Sequence, residues 1–433
     1  MTIYALSTAN GISGLAVIRI SGHLALTALK TLTRKSNFTS HLMSYNKIYD
    51  PLNGNHIDNC LAVHFAKPKS FTGEDVVELH IHGGQSTINM TLKALSKIDQ
   101  LTLAQPGEFT KRAFMNNKMD LTSIEAVGDL LNAQTETQHH YALSQMQGSL
   151  NKLYLSWRKQ LIDIIAYLEA GIDFADEDIP TNILNNIINK IDILLTEMNN
   201  HIAEKNQGEI LKNGFKIAII GEPNVGKSSL INILAKRDVA IVSEVAGTTR
   251  DAIEASLNIV GFPVIFTDTA GIREATNNIE KLGIDITHQK ISESNLVIEL
   301  FDDIKKINIK KGRISILNKC DLFKDNELTN LKTINISIHK NYGIEKLLDK
   351  ISAHLENNFL HVSNTVPTRM RYIIGTEKII SSLKKSKNID PTKNTELLVE
   401  ELRSAISEIG RLTGSIDVEE YLEVIFKDFC IGK

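Results

Sequence analysis

"FKIAIIGEPNVGKSSLINIL" (215–234) runs from an apolar stretch through Gly221-x-x-x-x-Gly226-Lys227-Ser228 into a helical pattern, and its reading decides the fold of the middle of the chain. Glycines let the backbone wrap a phosphate, so that successive N–H groups and the N-terminus of the following helix point at it. Lys227 supplies a point charge for the β- and γ-phosphate oxygens, and the Ser228 hydroxyl is placed to ligate Mg²⁺. A strand, a glycine loop and a helix in this order predict a P-loop module of doubly wound α/β type.

The base is read downstream. "SILNKCD" (315–321) ends an apolar run on Asn318-Lys319-x-Asp321. Guanine offers two adjacent donors that one carboxylate accepts together, whereas adenine would leave Asp321 unpaired at a cost of about 1–3 kcal/mol. Cys320 fills the variable place and reads as a spacer. "INISIHKNYG" (334–343) follows, with Ser337-Ile338 as a loose match to the Ser-Ala that backs the base in GTPases.

Two further stretches sit between these signatures. "DTAG" (268–271) ends the strand "PVIFT", so Asp268 can hold the magnesium shell while the Gly271 amide reaches the γ-phosphate; in "AGTTRD" (246–251), Thr249 can close over Mg²⁺. The expected nucleotide contacts are therefore Asn224, Val225, Gly226, Lys227, Ser228 and Ser229, then Ser243, Glu244, Val245, Ala246, Gly247, Thr248 and Thr249. Asp268, Thr269, Ala270 and Gly271 follow, then Asn318, Lys319, Cys320 and Asp321. Lys227, Thr249 and Gly271 are the catalytic candidates of this set. Signalling GTPases place a water-orienting glutamine directly after the glycine, but here the residue is Ile272, which cannot hydrogen-bond water. A monovalent cation held by Asn224 and by carbonyls of the loop around 243–248 would replace an arginine finger. Asn224 as a plain turn residue is the alternative.

The chain has 433 residues, which predicts two to four domains because single cores stop growing beyond roughly 250–300 residues. A net charge of −3 gives no global basic field for nucleic acid. The lysine pairs at 305–306, 310–311 and 384–385 read as solvated faces. Cys60, Cys320 and Cys430 are too few and scattered for a disulfide framework or a zinc site, which points to a reducing compartment. No basic leader opens the sequence and no run reaches the ~18 apolar residues of a membrane span, so a cytoplasmic protein without membrane contact is expected.

Periodicity divides the rest. Residues 1–118 mix β-rich runs, "GLAVIRI" (14–20) and "DVVELHIHGG" (75–84), with glycine turns, which predicts a small α+β domain. Apolar residues at helical spacing follow, including Ile183, Leu184, Ile187, Ile188, Ile191, Leu194, Leu195 and Met198, with "FADEDIP" (174–180) as a loop. Helical spacing returns near the end, with Leu397, Leu398, Leu402, Ala405, Ile406, Ile409 and Leu412 on one expected face. The order predicts an α+β domain at 1–118, an all-α bundle at 119–212 and 358–433, and an α/β module at 213–357 inserted in it. The closing "FCIGK" (429–433) is a poor prenylation box, because Gly432 and Lys433 fill its last two places.

Taken together, "GLAVIRISG" (14–22), "SFTGEDVVELHIHGG" (70–84), "PGEFTKRAFMNNKMDLTSIEAV" (106–127), "GEPNVGKSSL" (221–230), "AIVSEVAGTTRD" (240–251), "DTAGIRE" (268–274) and "FCIGK" resemble the MnmE (TrmE) tRNA-modification GTPases, over almost the entire chain. The resemblance implies an N-terminal dimerisation domain with a fold that binds tetrahydrofolates, and a 5-formyltetrahydrofolate site at Arg19, Glu78, Lys118 and Lys433. It implies K⁺ held by Asn224, Ser243, Val245 and Thr248 as two GTPase modules meet, Mg²⁺ at Ser228 and Thr249, and Glu280 positioning water. It further implies a homodimer that assembles with an FAD-carrying MnmG (GidA)-type subunit into a heterotetramer and acts on C5 of the wobble uridine of certain tRNAs. For Cys430 it leaves a chemical role and packing beside Phe429 open. A ribosome-assembly GTPase that binds RNA without modifying it is the rival reading. Two departures stand out: the link between "LVIELFDD" (296–303) and "RISILNKCD" (313–321) is short for a crossover helix, which is expected to shrink to a turn or two, and the loop at 339–343 is polar.

Overall fold

The computed structural model describes residues 1–173, 181–237, 240–241, 254–268, 289–329, 331–359, 363–390, 394–416, 425 and 432, with the side chains of 170–173 and 181–185 set aside. The chain divides into two compact units: Met1–Gly128 with Tyr154–Arg158 and Ile406–Lys433, and Asp129–Leu153 with Lys159–Ala405.

In the first unit, strands β1 (Thr2–Leu6), β2 (Ser13–Ser21), β3 (Ser44–Tyr49), β4 (His56–Phe65), β5 (Val76–Gly83) and β6 (Leu101–Leu103) form one sheet in the order β3-β4-β5-β2-β1-β6. All pairs are antiparallel except β1 with β6. Alternation along each strand sends Ile18, Ile20, Leu79 and Ile81 to one face, where Leu29, Leu32, Ile88 and Leu95 of the helices Ala25–Thr33 and Gln85–Leu95 complete a core. On the other face Ile3, Ala5, Ala104 and Phe109, with Phe71 against them, form a second, smaller cluster among the described residues. Arg19 and Glu78 lie on this second face.

In the second unit, β7 (Phe215–Gly221), β8 (Glu254–Ile259), β9 (Phe262–Asp268), β10 (Leu296–Phe301), β11 (Arg313–Leu317) and β12 (Ile334–Asn335) lie in the order β12-β11-β10-β7-β9-β8. Only β8 runs antiparallel to its neighbour. Central strands of such a sheet are buried on both faces, hence the continuous apolar runs in "KIAII" and "PVIF". Leu230, Ile231 and Leu234 of the helix Lys227–Leu234 and Leu347, Ile351 and Leu355 of the helix Ile344–Phe359 belong to its core. β10 and β11 are adjacent and parallel, yet residues 302–312 between them hold a single 3₁₀ turn, Ile304–Lys306. In place of a packed helix, Glu299 pairs with Arg313 at 2.9 Å and with Lys310 at 3.8 Å.

The α/β module leaves and rejoins the helices at neighbouring points. Gly208, in the helix Lys205–Asn213 that leads into β7, packs so closely that a Cβ would stand 2.1 Å from the Pro367 carbonyl on the return segment. Gln138 Nε2 donates to the Leu211 carbonyl at 2.9 Å and the Tyr141 hydroxyl to that of Val366 at 2.6 Å, tying both ends to the helix Glu136–Met146. In the helix Thr181–Ala203 the buried stripe is Ile187, Ile191, Leu194, Leu195 and Met198. In the helix Thr395–Thr413 it is Leu398, Leu402, Ala405, Ile409 and Leu412, a 4-3-4-3 spacing that turns Leu397 outward to 54% exposure and buries Val399 instead. "FADEDIP" lies outside the described residues. Among the described residues no helix is long and apolar enough to cross a membrane.

Candidate nucleotide site and N-terminal sheet face

β7 ends on Gly221 (φ 150°), where a Cβ would meet the Leu300 carbonyl of β10 at 2.5 Å. The chain then turns through Asn224 in the left-handed region (φ 65°) and Gly226 (φ 104°) before the helix Lys227–Leu234 begins. Both glycines are required here: Gly226 backs so closely on Asn318 that a Cβ would lie 2.5 Å from its Nδ2. Lys227, 6% exposed, folds across the loop and donates through Nζ to the carbonyls of Gly221 and Glu222, each at 2.9 Å. Ser228 Oγ donates to Asp268 Oδ2 at 2.5 Å, and Asp268, at the end of β9, is fully buried. Serine and carboxylate thus present two oxygens side by side, the donor set a hard cation such as Mg²⁺ takes. Val225 is buried; Ser229 is exposed.

Asn318 follows β11 and acts as a strut. Its Nδ2 donates to the Val225 carbonyl at 2.8 Å while its Oδ1 accepts from the Ile338 amide at 3.2 Å, joining the P-loop to the loop after β12. Lys319 adopts the left-handed conformation (φ 58°) and pairs with Asp302 at 2.7 Å. A hydrogen bond from Ser337 holds the Asp321 carboxyl below the usual carboxylate range, with Lys340 and His339 acting in the same direction. Burial, with Asp321 adding to it, pushes the Cys320 thiol up, away from the reactive thiolate. Ser243, Glu244, Val245, Ala246, Gly247, Thr248, Thr249, Thr269, Ala270, Gly271 and Glu280 lie outside the described residues, as do Ile272, Cys430 and Lys433.

On the sheet of the first unit, Arg19 of β2 stands directly opposite Glu78 of β5. Its Nε and Nη2 both reach Glu78 Oε1, at 2.9 and 2.8 Å, and its guanidinium carbon lies 5.4 Å from the Phe71 ring centre and 5.7 Å from that of Phe109. A flat cation between aromatic rings and a carboxylate is held in one orientation. Lys118 Nζ donates to the Pro68 carbonyl at 3.0 Å, and its stem lies against Gly73, so Arg19 and Lys118 meet the same segment, 68–73. At the far end of β1, Ser7 Oγ donates to the carbonyl of Gly432 at 3.0 Å, which brings that residue to this sheet. Gly432 has φ 96°, and a Cβ there would stand 2.1 Å from the Leu6 carbonyl. Sequence reasoning passed over Phe71, Phe109, Ser7 and His80. The period-2 spacing of Glu78, His80 and His82 was the available signal for the last of these.

A glycine loop at the carboxyl edge of a parallel sheet, with a buried lysine, a serine–aspartate pair and an Asn-Lys-x-Asp loop behind it, defines a P-loop nucleotide-binding protein of the GTPase class. Residues 2–118 match the family described as GTP-binding protein TrmE N-terminus, and residues 121–430 match MnmE helical domain. The chain is 43% identical over 447 residues to a tRNA modification GTPase MnmE of Rickettsia bellii (strain OSU 85-389), and 44% identical over 446 residues to that of Rickettsia typhi (strain ATCC VR-144 / Wilmington). Both alignments cover 100% of this chain and 100% of the relative. Among solved structures, Aquifex aeolicus Era bound to GDP and aluminium fluoride matches with 24% identity and a TM-score of 0.26, covering 41% of this chain and 69% of that one. The chain belongs to the MnmE family.

Proposed function

We propose that this chain is a GTP hydrolase whose cycle drives modification at C5 of the wobble uridine of certain tRNAs. The observation that carries the hydrolase part is the convergence of Lys227, Ser228, Asp268 and Asn318, with Asp321 beside them, at the carboxyl ends of β7, β9 and β11. The tRNA part rests on full-length kinship with proteins named tRNA modification GTPases.

Water oxygen attacks the γ-phosphorus, the bond to the bridging oxygen of GDP breaks, and the proton ends on phosphate. Lys227 leaves its loop carbonyls for the γ-phosphate oxygens, and the Gly271 amide donates to the same group. Ser228 and Thr249 would hold Mg²⁺, which would neutralise phosphate charge. Asn224, Ser243, Val245 and Thr248 would hold K⁺, which would supply the fixed positive charge an arginine finger brings. Glu280 orients the water that Ile272 cannot. Asp321 accepts from the ring N–H and exocyclic amine of guanine, and the Ser337 hydrogen bond that lowers its pKa favours the charged form that accepts both. In the first unit, Arg19, Glu78, Lys118 and Lys433 hold 5-formyltetrahydrofolate or a related reduced folate as one-carbon source. The chain works as a homodimer and assembles with an MnmG (GidA)-type subunit that carries FAD, in the cytoplasm.

Phosphate release from GTP and ATP with Mg²⁺, in K⁺ and in Na⁺ buffers, tests the hydrolase. Turnover confined to GTP and faster in K⁺ is expected; no guanosine preference would overturn the reading, and equal turnover in both salts would remove the potassium part. Mass spectrometry of digested tRNA from a gene deletion tests the product. Unchanged wobble uridines would favour the RNA-binding switch.

A further inference from the structure

The register of the N-terminal sheet places five residues in one row on the same face as Arg19. Tyr45 stands opposite Leu61, Leu61 opposite His80, and His80 opposite Val17, while the Ser7 amide bonds the Val17 carbonyl. The next row holds Val63, Glu78, Arg19 and Ala5. His80 therefore neighbours Glu78 on its own strand, and it shares its row with Ser7, the residue that anchors Gly432.

Glu78 uses one oxygen for Arg19, leaving Oε2 turned toward His80, whose Nε2 lies 3.5 Å away. That separation comes without hydrogen-bond alignment: Nε2 is buried and has no hydrogen-bond partner among the described residues. A buried polar atom left in this way is the exception in folded proteins, and a ligand is one of the groups that satisfies it. Oε2 accepts and Nε2 donates, so the two together match the edge of a flat ring that sets an N–H beside a carbonyl or imine acceptor. Exposed Leu61 and Tyr45 add an apolar flank beyond His80, and Arg19, pinned by Phe71 and Phe109, fixes the carboxylate from behind.

We propose that His80 is a further ligand-contacting residue of the N-terminal site, donating from Nε2 to a ring acceptor while Glu78 Oε2 takes the adjacent ring N–H. The inference rests on the reduced-folate reading above, whose pterin ring carries such an edge.

The test is calorimetric titration of the full-length protein with 5-formyltetrahydrofolate, comparing wild type, His80→Ala and His80→Gln. The alanine is expected to weaken binding about tenfold or more, and glutamine, whose amide reaches a similar position, to recover most of the loss. The readout that separates the two roles is affinity in His80→Gln, which keeps the volume and a donor near Nε2, whose nearest charged group is Glu78 Oε2 at 3.5 Å; a histidine kept for structure would lower the melting temperature of both variants and leave affinity unmoved. Equal affinity of wild type and His80→Ala overturns this inference alone. No saturable binding by the wild type overturns it together with the folate reading.

Discussion

Replacing Asn318 by alanine should loosen the P-loop before any nucleotide is present. The side chain is 3% exposed and makes two hydrogen bonds to backbone groups, to the Val225 carbonyl at 2.8 Å and from the Ile338 amide at 3.2 Å. Each contributes about 0.5–1.5 kcal/mol net, so the pair accounts for roughly 1–3 kcal/mol. That energy resists local opening of a loop held at Gly226 in a left-handed conformation against the same amide group. A loss of 1–3 kcal/mol is roughly a 5- to 150-fold rise in the open population. Hydrogen exchange of the amides at 222–230 in nucleotide-free protein reads this directly, free of any contact the residue makes to the base. Wild-type exchange rates there in Asn318→Ala would refute the reasoning and show that the loop is held without this strut.

Asp321→Asn should lower guanine-nucleotide affinity by about 100-fold or more, because the amide nitrogen then faces the guanine amine donor, while xanthosine nucleotides, which carry a carbonyl there, should bind better; competition with fluorescent GDP measures both. His201, buried in the helix Thr181–Ala203, has its pKa lowered to about 4 by burial. The unfolded chain takes that proton near 6.5, so between about pH 6.5 and 4 it binds more protons than the folded one and stability falls with acid, by roughly 2 kcal/mol from pH 7 to 5. In urea denaturation at both pH values the wild type should lose about 2 kcal/mol more than His201→Gln, and equal losses would sink the assignment. Gly432→Ala places a Cβ 2.1 Å from the Leu6 carbonyl at a φ that alanine avoids, so the tail should leave the sheet and its terminal lysine be released faster by carboxypeptidase B.

Much of this protein was legible from local pattern, because the signals are local in their physics. A phosphate loop needs its glycines and lysine at fixed spacing along one strand and one helix, so Gly221, Gly226 and Lys227 declare it without help from distant residues. The Asn318–Asp321 loop is equally compact. Helix stripes were readable at Ile187–Met198 for the same reason, whereas Leu397 misled because a one-residue shift in phase moves a side chain by 100°. The brevity of 302–312 also revealed itself, since a full helix does not fit between adjacent parallel strands in so short a link.

Tertiary structure alone decided what depends on register. Arg19 and Glu78 are 59 positions apart, and only the pairing of β2 with β5 sets them face to face; a slip of one residue would send Glu78 into the core in place of Leu79. Asn318 meets Val225 across 93 positions and Ser7 meets Gly432 across 425, contacts that no spacing rule encodes. The motifs name the chemistry because each carries its own geometry, but the partners that hold them arrive from elsewhere in the chain and are chosen by packing.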